Sequence, residues 1–364
     1  MTDNIKYWTG LSSIEEINSS FILTLYSHFN NDIEKVYNSD LSDIKDIVNI
    51  RTKTLETFIR KRNELDLDKI YDNVLNKNIQ ILTYESSDYP EMLKNIPDAP
   101  AVLYVKGDLN TCNLQKTVAF VGSRRASTTG KLSLQKIIKE LANTDICIVS
   151  GLAAGIDTTS HKSAIENNLK TIGVIASGFD FVYPESNKQL YKEIENGYGA
   201  IITEYYPNIQ PLQFHFPARN RIITGLSYGT VVAEAALKSG AIISANLTLE
   251  QNRELMCIPG AITNKNTEGI YKLLKNGATL VTSGQDILEA LNWEIKEPIQ
   301  QKLNFDDCTE DELLILKSIN IEPKNFDKIQ LETKISTEIL LTNLTTLELK
   351  GIIKQVDSDK YTRS

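Results

Sequence analysis

The sequence has little of several features that would point directly to a function. Its 364 residues include 4 cysteines and 3 histidines, and none of the cysteines form a Cys-x-x-Cys pair, so we expect no metal site. No run approaches the roughly 18 apolar residues of a membrane-spanning helix. The first residues show no basic segment followed by an apolar one, so we expect no export signal. Scattered cysteines are typical of a cytoplasmic protein.

An excess of positive charge, the usual sign of a nucleic-acid-binding protein, is also missing. The formal net charge is −8, but the acid lies in the flanks. Residues 116–291 hold 17 Lys+Arg against 15 Asp+Glu, whereas residues 1–115 hold 12 against 18 and residues 292–364 hold 10 against 14. Phosphate binding needs a few well-placed cations rather than a high global charge. The middle of the chain therefore permits a local basic site without demonstrating one.

Residues 1–85 are polar and poor in glycine, and they show helical periodicity. Apolar residues recur at helical spacing at Ile14, Ile17, Phe21 and Leu25. This pattern predicts a small N-terminal helical domain. A connector with three prolines follows over residues 89–100 and leads into a short strand, Ala101–Val105.

Residues 86–291 show short β-branched runs that alternate with helical patterns. The predicted strands are Thr117–Val121, Ile146–Val149, Thr171–Ala176, Ala200–Thr203, Gly229–Ala233, Glu254–Ile258 and Thr279–Val281. Strict alternation implies crossover units and a mostly parallel sheet buried on both faces, which is an α/β, extended Rossmann-like fold. Such sheets bind ligands at the carboxyl ends of their strands.

Residues 292–305 are polar and predict a linker to a C-terminal domain over residues 306–364. That domain shows three helical patterns and a two-stranded ribbon, which suggests a winged-helix-like module. Its third helical pattern, Ser336–Lys350, carries Lys350 as its only cation. We therefore expect this module to contact protein rather than to bind duplex DNA tightly.

The first candidate site segment joins the strand Thr117–Val121 to a helix. Gly122, Ser123, Arg124 and Arg125 follow that strand directly. Backbone N–H groups at a helix start, a glycine that permits close approach and neighbouring guanidinium groups together form an anion site. The alternative is a tight turn whose arginines are merely solvated. The dinucleotide fingerprint G-x-G-x-x-G is absent, so we expect neither NAD nor any other cofactor.

The second segment, Ser150–His161, again lies between a strand and a helix. Gly151 and Gly155 are spaced along it, and Asp157 is placed to cap the helix. Ends of adjacent parallel strands lie side by side, so this loop is expected beside the first. Capping and packing alone are the alternative. His161 has no metal-ligand companion, so we place it on the helix surface or in support of the loop.

The third segment combines aromatic residues with arginines. Its members are Phe214, Phe216, Arg219, Asn220 and Arg221. Stacking surfaces beside fork-shaped phosphate donors are the pairing expected of a single-stranded nucleic-acid site. A solvated helix start is the alternative. We expect Arg124, Arg219 and Arg221 to converge from separate loops on one positively charged cleft.

Over about residues 86–291 the sequence resembles the bacterial DNA-processing protein A family (DprA, also called Smf). The shared motifs, in order, are Gly122-Ser-Arg124, Ser150-Gly-Leu-Ala-Ala-Gly-Ile-Asp157, Tyr183-Pro184, Phe216-Pro-Ala-Arg-Asn-Arg221, Ile258-Pro-Gly260 and Asn276-Gly-Ala278. The N-terminal region departs from the family pattern because it lacks a glycine-rich hairpin.

The resemblance implies a dimeric, non-catalytic protein that protects incoming single-stranded DNA during natural transformation (competence) and loads the recombinase RecA for DNA recombination. It also implies a SAM-like helical domain before the core and a winged helix after it. Carried over to this chain, Gly122, Ser123 and Arg124 hold a phosphate, Gly151, Gly155 and Asp157 shape the adjoining wall, Arg219, Asn220 and Arg221 complete the pocket, and Lys188 adds charge along the strand's path.

An enzyme is the main competing hypothesis. Phosphoribohydrolases of a related Rossmann-like group use a P-G-G-x-G-T-x-x-E loop, and Gly229-Thr-Val-Val-Ala-Glu234 resembles it in part. The proline and paired glycines are missing, and the glutamate lies one residue too far, which turns its side chain to the other face of a strand. We therefore expect Glu234 to be structural. A pure interaction scaffold, in which the arginines are dispensable, is the third reading.

Overall fold

The computed structural model describes residues 2–47, 51–293, 308–319, 324–350, 352–357 and 359–363. The chain divides into two compact units, Met1–Glu294 and Ile295–Ser364. Among the described residues, no helix is both long enough and apolar enough to cross a membrane.

The first unit begins with short helices that pack around an aromatic core. Their ranges are Thr2–Ser12 (α1), Ser19–His28 (α2), Ile33–Asn38 (α3), Leu41–Ile44 (α4), Thr52–Asn63 (α5) and Leu67–Leu75 (α6). Side-chain caps fix several starts, because Asn18 accepts a hydrogen bond from Phe21 N and Asp66 accepts one from Lys69 N. Trp8 and Phe58 are fully buried in the core around which these helices pack.

A single large sheet forms the centre of the first unit. Its strands are Gln80–Thr83 (β1), Val102–Gly107 (β2), Thr117–Gly122 (β3), Cys147–Ser150 (β4), Lys170–Val174 (β5), Gly199–Thr203 (β6), Gly229–Glu234 (β7), Glu254–Cys257 (β8) and Thr279–Leu280 (β9). Within the described residues the order is β1-β2-β6-β5-β4-β3-β7-β8-β9. Strands β3 to β9 pair in parallel, whereas β2 is antiparallel to β6 and β1 is antiparallel to β2.

Helices cover both faces of this sheet. They are Glu91–Lys94 (α7), Thr128–Glu140 (α8), Ile156–Glu166 (α9), Lys188–Glu193 (α10), His215–Gly225 (α11), Gly240–Glu250 (α12), Glu268–Lys275 (α13) and Gly284–Ala290 (α14). Residues of β3 alternate between two cores: Val118 and Phe120 pack in one, and Ala119 and Val121 in the other. The prediction of an α/β fold with a mostly parallel sheet buried on both faces is confirmed.

The helical region and the sheet are not separate in space. Ala101, Val102 and Tyr104 are buried in the same core as the N-terminal helices. The sequence pattern assigns residues 80–83 to the helical region, but these residues form the edge strand β1 because their backbone pairs with β2. The domain boundary at residue 85 remains a prediction.

The order of the strands places a crevice at the centre of the sheet. From β3 the chain runs outward through β4, β5 and β6, and then returns to place β7 on the other side of β3. In open α/β sheets, ligands bind outside the carboxyl ends of the strands at such a reversal. The loops after β3, β4 and β7 therefore surround the expected binding position.

The second unit is small and contains both helices and a sheet. Its elements are Glu310–Ser318 (α15), Lys324–Asn325 (β10), Phe326–Thr333 (α16), Thr337–Leu349 (α17), Ile353–Asp357 (β11) and Lys360–Arg363 (β12). Within its described residues the sheet is antiparallel and has the order β10-β12-β11, so the predicted ribbon gains a third strand. Residues 294–307, with most of the predicted linker, lie outside the described residues. The winged-helix assignment remains a prediction.

Candidate functional site

A cleft of about 650 Å³ lies at the carboxyl ends of β3, β4 and β7. It is lined by the loop after β3, the start of α9, the first turns of α11 and the start of α12. We call it the anion cleft. Of the residues predicted from the sequence, it brings together Gly122, Ser123, Arg124, Arg125, Asp157, Phe216, Arg219 and Asn220.

The loop after β3 holds two arginines out into the anion cleft. The Ser123 hydroxyl accepts a hydrogen bond from Arg125 N (3.1 Å), and Asn266 Nδ2 donates to the Arg125 carbonyl (3.0 Å). Both arginines are exposed. In the described part of the chain, neither guanidinium has a carboxylate partner, and Arg124 Cζ lies 5.0 Å from the centre of the Phe216 ring. These cations are available to an anionic ligand.

The loop after β4 depends on two glycines for close packing. Gly155 has φ +85°, and a Cβ at this position would strike the carbonyl oxygens of Ser123 and Arg124. A Cβ at Gly151 would come within 2.7 Å of the Arg219 guanidinium. Both glycines therefore act through the backbone, by allowing the two loops and α11 to approach one another.

Arg219 faces the interior of the protein. It is 3% exposed, and its Nη1 donates to the carbonyl oxygens of Gly151 (2.7 Å) and Val174. Burial lowers the pKa of its guanidinium, and the nearby Asp157 carboxylate opposes that effect. Arg219 thus joins the ends of β4 and β5 to α11. Its Nη1 is thus engaged by backbone oxygens, whereas its Nε has no hydrogen-bond partner among the described residues, and its expected role in neutralising phosphate remains a prediction.

Asp157 supplies a titratable charge at the floor of the anion cleft. Its carboxylate accepts a hydrogen bond from Gly151 N (3.2 Å). Burial raises the pKa of Asp157 to about 6, against the opposing influence of Arg219, backbone donors and Arg124. The cleft floor therefore becomes more positive as pH falls through this value.

Three other predicted residues lie outside the anion cleft. Both terminal nitrogens of Arg221 donate to the Glu204 carboxylate, at 2.9 Å and 2.7 Å, and although burial opposes it, Glu204 raises the pKa of Arg221. Phe214 is 67% exposed and lines a different cleft. Lys188 is exposed at the start of α10 and does not line the anion cleft. Of the three arginines expected to converge, Arg124 and Arg219 line the anion cleft, whereas Arg221 does not.

Sequence reasoning missed two contributions to the anion cleft. The start of α12 lines it at Ser239, Gly240 and Ala241, and the buried Ser239 hydroxyl has no hydrogen-bond partner among the described residues. A helix N-terminus and a free hydroxyl favour an anion. The sequence carries a signal for this position, since Ser239-Gly240 is a helix-start pattern. Tyr183 is the second, with its ring centre 5.3 Å from that of Phe216.

Two polar side chains beside the site are buried and hydrogen-bonded to neighbouring residues. His161 is buried, its Nδ1 lies 2.7 Å from the Thr171 hydroxyl, and burial lowers its pKa to about 3. It supports the loop from beneath and does not lie on the helix surface. Glu234 is 2% exposed and accepts hydrogen bonds from Ser127 N (2.9 Å), the Ser127 hydroxyl and Asn264 Nδ2 (3.0 Å). This agrees with the structural role expected for it.

Fold and site together define a Rossmann-like protein with an arginine-lined cleft at its strand reversal. Residues 80–292 match the family of DNA recombination-mediator protein A. The chain belongs to this family, as its sequence motifs indicated.

Two curated relatives show how far the similarity extends. DNA processing protein DprA of Streptococcus pneumoniae is 43% identical over 251 residues, which cover 68% of this chain and 86% of the relative. Protein Smf of Synechocystis is 31% identical and is matched over 98% of both chains.

Two solved structures are similar as well. The X-ray structure of DprA from Streptococcus pneumoniae has a TM-score of 0.68 and 37% identity, and the match covers 79% of this chain and 96% of that one. DprA from Helicobacter pylori, whose structure was described for its single-stranded DNA binding mode, has a TM-score of 0.53 and 30% identity over 59% of this chain and 98% of that one.

Proposed function

We propose that this protein binds single-stranded DNA in the anion cleft, mainly through the backbone, and serves DNA processing without catalysing a reaction. The main observation in support of this proposal is the pair of exposed arginines, Arg124 and Arg125. They lie beside a helix start and have no acidic partner among the described residues. The single-stranded DNA binding mode described for the Helicobacter pylori relative supports the same ligand.

The proposed contacts divide into phosphate and base contacts. Arg124 and Arg125 neutralise phosphates, and the amides at the start of α12 and the Ser239 hydroxyl donate hydrogen bonds to a further phosphate oxygen. Phe216 and Tyr183 offer aromatic surface on which a base stacks, worth about 1–3 kcal/mol. Arg219 contributes indirectly, by holding the Gly151 loop in place. The phosphate contacts depend on salt and do not distinguish between bases.

The wider role rests on the family resemblance. In that role the protein is a cytoplasmic homodimer that protects incoming single-stranded DNA during natural transformation and loads RecA. Exposed apolar side chains at Leu237, Ile243 and Leu249 support a dimer surface between residues 227 and 261. In the second unit, Leu331 and Leu341 are also exposed, at 79% and 56%, which supports a protein contact by that module.

The non-catalytic assignment is favoured by the state of Glu234. A ribose-directed glutamate must reach its substrate, whereas this carboxylate accepts hydrogen bonds from Ser127, at the start of α8, and from Asn264, in the loop after β8. Incubation with nucleoside monophosphates, followed by chromatography for free base, tests the enzyme alternative. If the wild-type protein releases free base and the Glu234→Gln variant does not, the non-catalytic assignment is overturned.

The direct test is a titration of the full-length protein with a labelled oligonucleotide, single-stranded or as a duplex, at 2 salt concentrations chosen about fourfold apart. We expect tighter binding to the single strand, and weaker binding at higher salt. Equal affinity for both forms at both salt concentrations, or no binding to the single strand, would contradict the proposed function.

A further inference from the structure

A second cleft, of about 380 Å³, shares the first turns of α11 with the anion cleft. Its other wall is the segment between α1 and α2 and the loop after β6. Phe214, Ala218 and Arg221 line it, whereas Phe216 and Asn220 line the anion cleft. These two sets lie on opposite faces of one helix, because three- and four-residue spacings share a face. We call this second site the acidic cleft.

Flat aromatic surface is prominent in the acidic cleft. Phe214 is 67% exposed, and its ring centre lies 4.5 Å from that of His215. Tyr205 stacks on His215, with 4.2 Å between the ring centres and an angle of 28° between the ring planes. Burial lowers the pKa of His215, which favours the uncharged imidazole. Such surfaces favour stacking with a planar ligand.

The charges of the acidic cleft select against a phosphate. Its lining includes the acids Glu15, Asp98 and Glu204 and a single arginine, Arg221. Glu204 is occupied by Arg221 and by the Ser19 hydroxyl. In the part of the chain that the structure describes, the exposed carboxylates of Glu15 and Asp98 have no hydrogen-bond or ion-pair partner. Ionised carboxylates only accept hydrogen bonds, so a fitting ligand is planar, carries N–H donors and has no negative charge.

We infer that the acidic cleft binds a nucleobase with an exocyclic amino group, from the same strand whose phosphates occupy the anion cleft. This inference rests on the proposed function. A strand that crosses the first turn of α11 places its backbone on the basic side and one base on the acidic side. Cytosine, adenine and guanine carry amino donors for Glu15 and Asp98. Thymine has no amino group, so it fits less well.

The inference is tested by base preference. Full-length protein is titrated with oligo(dC) and with oligo(dT) of equal length, and we expect about fivefold tighter binding of oligo(dC), which is about 1 kcal/mol. In the double variant Glu15→Gln/Asp98→Asn, this ratio falls to near one. Both affinities rise in that variant because two negative charges are lost, so the ratio is the informative quantity.

A matched control removes the same charge elsewhere. Glu56 and Asp72 are exposed on α5 and α6 and do not line either cleft. Glu56→Gln/Asp72→Asn is expected to keep the wild-type ratio. A ratio that stays unchanged in the acidic-cleft variant, or that falls equally in the control, overturns the inference.

Photocrosslinking locates the base independently of affinity. An oligo(dC) strand that carries 5-iododeoxycytidine is irradiated with the protein, and the joined peptide is identified by mass spectrometry. We expect crosslinks at Phe214 or Tyr205. Crosslinks at Phe216 or Tyr183 alone, or equal affinity for oligo(dC) and oligo(dT), overturn this inference and leave the proposed function intact. Failure to bind either strand overturns the proposed function itself.

Discussion

Two regions of the molecule use arginine in opposite ways. In the loop after β3, Arg124 and Arg125 are exposed and have no carboxylate partner in the described chain. On α11, Arg219 is buried against backbone carbonyls and Arg221 is paired with Glu204. All four belong to motifs that look equally suited to phosphate. Whether an arginine binds a ligand or stabilises the fold is therefore decided by the acceptors that the fold brings to it.

The largest effect that tests this contrast is expected at Arg219. Arg219→Ala removes the donor to Gly151 and Val174 and leaves the buried Asp157 without its nearby cation. We expect the free energy of unfolding to fall by about 3–4 kcal/mol, measured by urea denaturation. If the variant keeps the stability of the wild type but loses DNA binding, Arg219 contacts the DNA directly and does not stabilise the fold. Arg219→Lys, which keeps the charge, is the matched comparison.

A smaller loss of stability is expected at the ion pair of α11. Arg221 and Glu204 are largely buried, with side-chain exposures of 14% and 11%. Arg221→Ala is expected to lower the free energy of unfolding by about 2 kcal/mol, because it leaves the partly buried Glu204 carboxylate without its partner. A double-mutant cycle with Glu204→Gln measures the coupling between the two. Additive losses would mean that the pair is not an interacting unit.

The pH dependence of DNA binding sharpens the comparison further. Since the pKa of Asp157 is about 6, protonation between pH 8 and pH 5 removes a negative charge from the floor of the anion cleft. We expect affinity for single-stranded DNA to rise about fivefold over this range. In Asp157→Asn the rise should be absent, because the side chain is neutral throughout. A rise of equal size in that variant would assign the effect to another group.

Stability is a poor readout of the same titration. The pKa of Asp157 is raised above its usual 3.8, so its contribution to stability falls as pH rises through about 6. The pKa of His161 is lowered from 6.5 to about 3, so its contribution is complete above pH 6.5 and is lost as pH falls towards 3. These two effects oppose each other across the same pH window.

The smallest effect is expected at the start of α12. Ser239→Ala removes one hydroxyl from the anion cleft without disturbing a hydrogen bond of the described structure. We expect affinity for single-stranded DNA to fall about threefold while the melting temperature stays unchanged. A melting temperature that drops with the affinity would place this hydroxyl among the groups that hold the fold.

Much of the fold follows from local sequence patterns. Apolar β-branched runs and helical periodicity predicted the positions of strands β3 to β9 along the chain, because a sheet buried on both faces requires continuous apolar strands. The order of the strands within the sheet was not predicted. The edge strand β1 was missed, since its pairing with β2 is decided by residues 19 to 25 positions away. Strand–glycine–helix junctions likewise located the loops after β3 and β4.

The partners of the site arginines could not be predicted in this way. Glu204 precedes Arg221 by 17 positions, and the Val174 carbonyl precedes Arg219 by 45. Nothing in the local pattern around α11 indicates these acceptors, because packing alone brings them together. The motif therefore located the segment that lines the anion cleft, but it did not indicate that Arg221 pairs with Glu204 or that Arg219 bonds backbone carbonyls.

The salt dependence of single-strand binding tests the central claim most directly. Each phosphate contact contributes about 0.7 to the slope of log affinity against log salt for a single strand. We predict that Arg124→Ala lowers this slope by about that amount and weakens binding about tenfold, whereas Arg221→Ala leaves the slope unchanged. An unchanged slope in a folded Arg124→Ala protein, with a reduced slope in Arg221→Ala, would contradict the account.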